Sequence, residues 1–136
     1  MLKRHFLWFI YGMFVATALW FKPEEPLFFS DGPLPWGKPI LWAVLIAFLV
    51  YTFYCHIKAD FFETMKITGR YHWTKQTGVD SYLGVGLIAC VIFFNHGLLV
   101  LSLWLIPLLI YANLATLLYL ALHYDLIISN LVNSTQ

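Results

Sequence analysis

The side chains best able to do chemistry in this 136-residue chain are its five histidines, His5, His56, His72, His96 and His123. Imidazole ligates borderline transition metals and can serve as an axial ligand to haem. Asp60 follows His56 by four residues and Asp125 follows His123 by two. A four-residue step puts two side chains on one helix face, provided a single helix runs through both. His56 and His123 sit on different apolar segments, near ends that helix arithmetic places at one level, with His5 close by and His72 in the neighbouring loop. They are therefore the candidate cofactor-binding pair, for a haem or a transition metal. Against this, histidines at a membrane boundary commonly bond only to headgroups, and no dense ligand motif such as HExxH occurs. The default expectation is no cofactor and no metal.

His96 stands apart. The stretch FFNHGLL places Asn95, His96 and Gly97 inside the longest apolar run of the chain. Asn and Gly supply turn chemistry. If the three residues form a turn, His96 lies across the membrane from His5, His56 and His123 and cannot join them.

Other chemistry finds little support. Ser, His and Asp occur without a GxSxG context, and no glycine-rich nucleotide loop is present. Cys55 and Cys90 lie in apolar segments without CxxC spacing, so packed free thiols are expected rather than a disulfide or zinc site. The net charge is +1. The segment MKITGRYHWTKQTG gathers Lys66, Arg70 and Lys75 with Tyr71 and Trp73. Three basic residues neutralise too few phosphates for nucleic-acid binding. Basic side chains mixed with Tyr and Trp suit a lipid surface or a docking partner, so these five are assigned to lipid or partner contact.

The elements carrying these residues follow from composition. The chain is 61% hydrophobic and 11% charged, where soluble domains carry about 25% charged residues. A chain this short cannot bury so much apolar surface within itself, because small domains have a high surface-to-volume ratio. The composition predicts an all-α integral membrane protein and a single transmembrane domain over residues 1–136. Lys3-Arg4-His5, an apolar run and Ala16-Thr17-Ala18 imitate a secretory signal, but the segment is read as a retained span.

Four spans are expected, at about 6–21, 39–57, 79–95 and 98–122, forming a four-helix bundle. A proline-rich loop over 22–39 separates the first two. Pro39 suits the first turn of the second helix. Ile57, Phe61 and Met65 recur every four residues, which predicts a short amphipathic helix on the cytoplasmic surface after the second span, stopping at Gly69. Asp80 or Ser81 is the candidate N-cap of the third span, and Pro107 would kink the fourth. A turn at residues 102–107 is the alternative, giving spans over 82–101 and 107–128. That turn would leave backbone groups unsatisfied in the apolar layer. Six basic residues (Lys3, Arg4, Lys58, Lys66, Arg70, Lys75) against two (Lys22, Lys38) place both termini in the cytoplasm. The expected location is the cytoplasmic (inner) membrane of a bacterium.

Each span carries small residues four apart: Gly12 and Ala16, Ala43 and Ala47, Gly86 and Cys90, and, in the last, Ala112 and Thr116. Such pairs allow close helix packing, and Asn113 could hydrogen-bond across helices. No Asp, Glu, Lys or Arg lies centrally in a span, whereas a self-sufficient coupled carrier normally needs one. The expected function is a non-catalytic structural or accessory subunit of a larger membrane assembly, with lipid and other membrane subunits, or further copies of itself, as partners. The alternatives are a small transport or pore-forming homo-oligomer and a haem- or metal-binding redox protein.

Overall fold

The computed structural model describes residues 2–22 and 24–136, with the side chains of residues 2–4 left aside. Among the described residues all regular structure is helical: α1 Leu2–Trp20, α2 Gly37–Lys58, α3 Phe61–Thr68, α4 His72–His96, α5 Leu98–Tyr111, α6 Asn113–Leu122 and α7 Tyr124–Ser134.

Two of these, α2 with 22 residues and α4 with 25, are long and apolar enough to cross a membrane. At 1.5 Å per residue they reach about 33 and 38 Å, against a hydrocarbon core of about 30 Å. A third crossing exists if α6 and α7, bent by 71° at His123, count as one broken span. In α1 the apolar portion is shorter, His5–Trp20. The expected four full-length spans are thus not reproduced as four long helices.

The largest departure concerns the expected span over 98–122. It is two helices, broken at Ala112, whose φ of +45° is the one positive value among described non-glycine residues. The α5 and α6 helices pack on each other and on α4. At 14 and 10 residues they extend only about 21 and 15 Å, so neither crosses an apolar layer alone. Their turn lies partway along α4, where the Tyr82 hydroxyl donates to the Leu109 carbonyl at 3.4 Å. That bond satisfies one of the carbonyls a helix end leaves open. On the other side the Tyr111 hydroxyl donates to Leu7 O at 2.6 Å and Tyr11 to Leu114 O at 3.5 Å. A broken backbone is tolerated at such depth because protein covers it. Six of the ten α6 residues are buried, including Ala115, Leu118 and Tyr119, so α6 is the axis of the molecule.

The chain reverses at Gly97, where φ is +85°. Asn95, next to it, donates to Val91 O at 2.8 Å. Because α6 then returns towards this reversal, α7 starts beside the loop over 22–36. It also stays there, since the Asn130 side-chain amide donates to Asn95 at 2.7 Å. The α1 residue His5 lies instead against His56, near the far end of α2. The expectation that both termini share one side is therefore not met: α7 lies at the loop end and the first turns of α1 at the opposite end.

Two boundaries also move. The α4 helix begins at His72, with Tyr71 at its N-cap, so neither Asp80 nor Ser81 caps it. The α2 helix stops at Lys58, and Asp60 opens the separate α3 by accepting the backbone N–H groups of Phe62 and Glu63 at 2.9 and 3.2 Å. Two satisfied amides at a helix start are worth more to this carboxylate than a distant imidazole.

Candidate functional site

Lys38, in the first turn of α2, is 1% exposed. Removing an ammonium group from water is costly unless it is paired, and the chain pairs it twice. Asp125 of α7 meets the ammonium at 2.8 Å and Glu25 of the loop lies at 3.8 Å. The Ser30 hydroxyl donates to the second Asp125 oxygen and receives the Gly32 N–H at 3.1 Å. Partial burial, reinforced by the hydrogen bond and charge of Asp125, holds the Glu25 carboxyl above its ordinary range, with Lys38 opposing. The cluster thus joins two carboxylates and one cation from three parts of the chain.

The surrounding loop is fixed by aromatic donors. Trp42 donates to Leu27 O at 2.7 Å and Tyr124 to Leu34 O at 2.8 Å. Gly37 allows the latter, because a Cβ there would lie 2.0 Å from the Tyr124 hydroxyl oxygen.

Beside this cluster stands a group of rings. His96, from the end of α4, approaches His123, between α6 and α7, with centroids 4.6 Å apart at 75°. Tyr119 stacks on His123 at 4.6 Å, and Trp104 packs edge-on against Tyr119 at 5.1 Å. His123 Nδ1 lies 3.2 Å from the Tyr119 carbonyl. A carbonyl only accepts, so it fixes the proton on Nδ1 and leaves the lone pair on Nε2. His96 Nε2 and the Tyr119 hydroxyl are buried without a hydrogen-bond partner.

The opposite end carries a different feature. His5 and His56 approach within 3.2 Å, Nδ1 to Nε2. His56 also lines an apolar cavity of about 510 Å³ with Trp8, Tyr11, Thr52, Phe61 and Tyr111. It is the space left where the α5–α6 turn stops short.

These placements revise the histidine assignments. The sequence pairs His56 with His123; the structure pairs His56 with His5 and His123 with His96. The exclusion of His96 from His123 is overturned, because the fold-back at Ala112 carries His123 to the level of Gly97. Asp60 caps α3 and Asp125 binds Lys38 and Ser30, so neither serves the histidine it follows. Lys66, Arg70, Tyr71, Trp73 and Lys75 are all exposed, and three of them, Lys66, Arg70 and Tyr71, frame a surface hollow with Ile67. Of the helix-packing candidates, Gly12, Ala16, Ala43, Ala47, Gly86, Cys90 and Asn113 are exposed and Thr116 is half-buried. Those exposed residues do not form the internal helix interfaces.

Sequence reasoning missed Lys38, Glu25 and Ser30. Lys38 lies 87 residues from Asp125 and Ser30 lies 95, and no local spacing announces such a pairing. The available signal was Lys38 itself, an ammonium at the mouth of an apolar helix, which needs a counter-charge. Comparison with protein-family models, curated proteins and solved structures finds no match for this chain.

Proposed function

We propose that this protein is a small integral-membrane accessory subunit, without catalysis of its own, that packs laterally against a larger membrane partner or further copies of itself. The observation that carries this reading is the placement of its small residues. Gly12 with Ala16, Ala43 with Ala47, and Gly86 with Cys90 lie exposed on α1, α2 and α4. A Cβ built on Gly12 or Gly86 meets nothing within 4 Å. Small residues four apart let helices approach closely, and lipid supplies no hydrophobic drive that would replace such packing. Large apolar side chains flank them, among them Phe9, Val44, Ile46, Leu83 and Leu87.

In this reading α1, α2 and α4 cross the bilayer, and the α5–α6 pair enters from the loop end and returns. The basic residues of α3 and its flanks support a cytoplasmic side for the His5 and His56 end under the positive-inside rule, which puts α7 on the outer side in this reading. Lys38, Asp125 and Glu25 neutralise one another, which suits a structural clasp better than an ion-coupled carrier.

A photo-crosslinking residue placed at Ala47 or Cys90 in native membranes tests the proposal. A discrete protein adduct of defined mass is expected. Adducts to lipid alone, together with a lone monomer after gentle detergent extraction, would overturn it. A second reading, a small transport oligomer, draws on the break at Ala112, since helices interrupted within the layer build substrate sites in transporters. Solute flux into proteoliposomes no greater than into empty vesicles removes it.

A further inference from the structure

Buried polar atoms in folded proteins are almost always hydrogen-bonded, and an orphan calls for something that satisfies it. Here two orphans, His96 Nε2 and the Tyr119 hydroxyl, belong to one ring cluster. The third member, His123, is 8% exposed.

We propose that His96 and His123, with Tyr119 beside them, form a binding site for one divalent transition-metal ion of the borderline class, Zn²⁺ or Cu²⁺. Two observations carry this beyond the accessory-subunit reading, on which it does not depend. The first is ring geometry. With metal–nitrogen bonds of about 2.0–2.1 Å, two imidazoles sharing one ion at right to tetrahedral angles have centroids roughly 4.5–5.5 Å apart. The His96 and His123 rings lie 4.6 Å apart.

The second is the outer partner of His123. A metal-binding imidazole normally gives its other N–H to a carbonyl or carboxylate, which fixes tautomer and orientation. The Tyr119 carbonyl does this at Nδ1, aiming the Nε2 lone pair elsewhere. The donors are imidazole nitrogens and a phenol oxygen, which suit Zn²⁺ or Cu²⁺ better than the all-oxygen cations Mg²⁺ and Ca²⁺.

Titration of the full chain, chelator-stripped in mild detergent, with Zn²⁺ and Cu²⁺ tests the site. One equivalent of metal per chain is expected to bind. Cu²⁺ should quench tryptophan fluorescence, and the quenched portion should vanish in Trp104→Phe, because Trp104 abuts both Tyr119 and His123. His96→Gln and His123→Gln should each weaken binding tenfold or more, the scale on which metal sites respond to lost partners. His5→Gln and His56→Gln serve as the contrast, since that pair is the other place two imidazoles meet. Unchanged binding in His96→Gln, loss of binding in the His5 or His56 variants instead, or no stoichiometric binding by the parent would each overturn the proposal. His96 is half-buried, so its variant keeps the test decisive even where His123→Gln fails to fold.

Discussion

Asp125 is the side chain on which the loop end depends. It holds the Lys38 ammonium and the Ser30 hydroxyl at once, and so ties α7 to α2 and to the loop. Breaking a buried pair by removing one charge leaves the other uncompensated, which costs about 3–5 kcal/mol. Asp125→Asn should therefore lower stability by about 3 kcal/mol at neutral pH, measured by thermal unfolding in detergent. Combining it with Lys38→Met should recover much of the loss, because no buried ammonium then remains. A single variant as stable as the parent would show that Glu25 alone suffices for Lys38.

Glu25 responds to pH in the opposite sense from a simple ion-paired carboxylate. Its folded value is raised above 4.5. The stability it contributes is full below 4.5 and is lost as pH rises through the raised folded value. Glu25→Gln mimics the protonated form and should flatten the decline in stability above that window. Unfolding curves recorded as a function of pH for parent and variant make the comparison, and parallel profiles would count against a raised Glu25.

At the scale of elements the breaks matter more than the helices. Gly97 occupies a positive φ, where an L side chain is strained by about 1–3 kcal/mol. Gly97→Ala should destabilise by that order, with no steric contribution, since nothing lies within 4 Å of the added Cβ. Ala112 already bears a side chain at φ +45°. Ala112→Gly should relieve strain and hold or raise stability, whereas the same change inside α6 would lower it by roughly 1 kcal/mol. Matched unfolding measurements decide; a clear loss in Ala112→Gly would mean that α5 and α6 form one continuous helix.

Across the whole molecule the decisive feature is the fold-back of α5 on α6. It places the start of α7 at the end of the proline-rich loop, opposite His5 and His56. Single cysteines introduced at Gln136 and Lys22, with Cys55 and Cys90 replaced, should react with an impermeant maleimide from one side of sealed vesicles. A cysteine at Lys66 should react from the other. Equal access to Gln136→Cys and Lys66→Cys would restore the arrangement with both termini on one side.

The apolar composition alone determined that the chain is helical and that α2 and α4 are long enough to cross a membrane. Hydrophobic run length is a local property, and a backbone in an apolar layer can satisfy itself locally only as helix. The reversal at Asn95, His96 and Gly97 and the short helix closed at Gly69 were legible for the same reason, since turn and stop chemistry act over a few residues. The break at Ala112 was not legible, because alanine is the best helix former and only the covering side chains of Tyr11, Tyr82 and Tyr111 make a break there tolerable. From that break followed the long-range placements the sequence did not give: the end at which α7 lies, the partner of His123, and the pairing of Lys38 with Asp125 across 87 residues. Those are long-range choices, set by which surfaces bury each other, and the tertiary structure alone decided them.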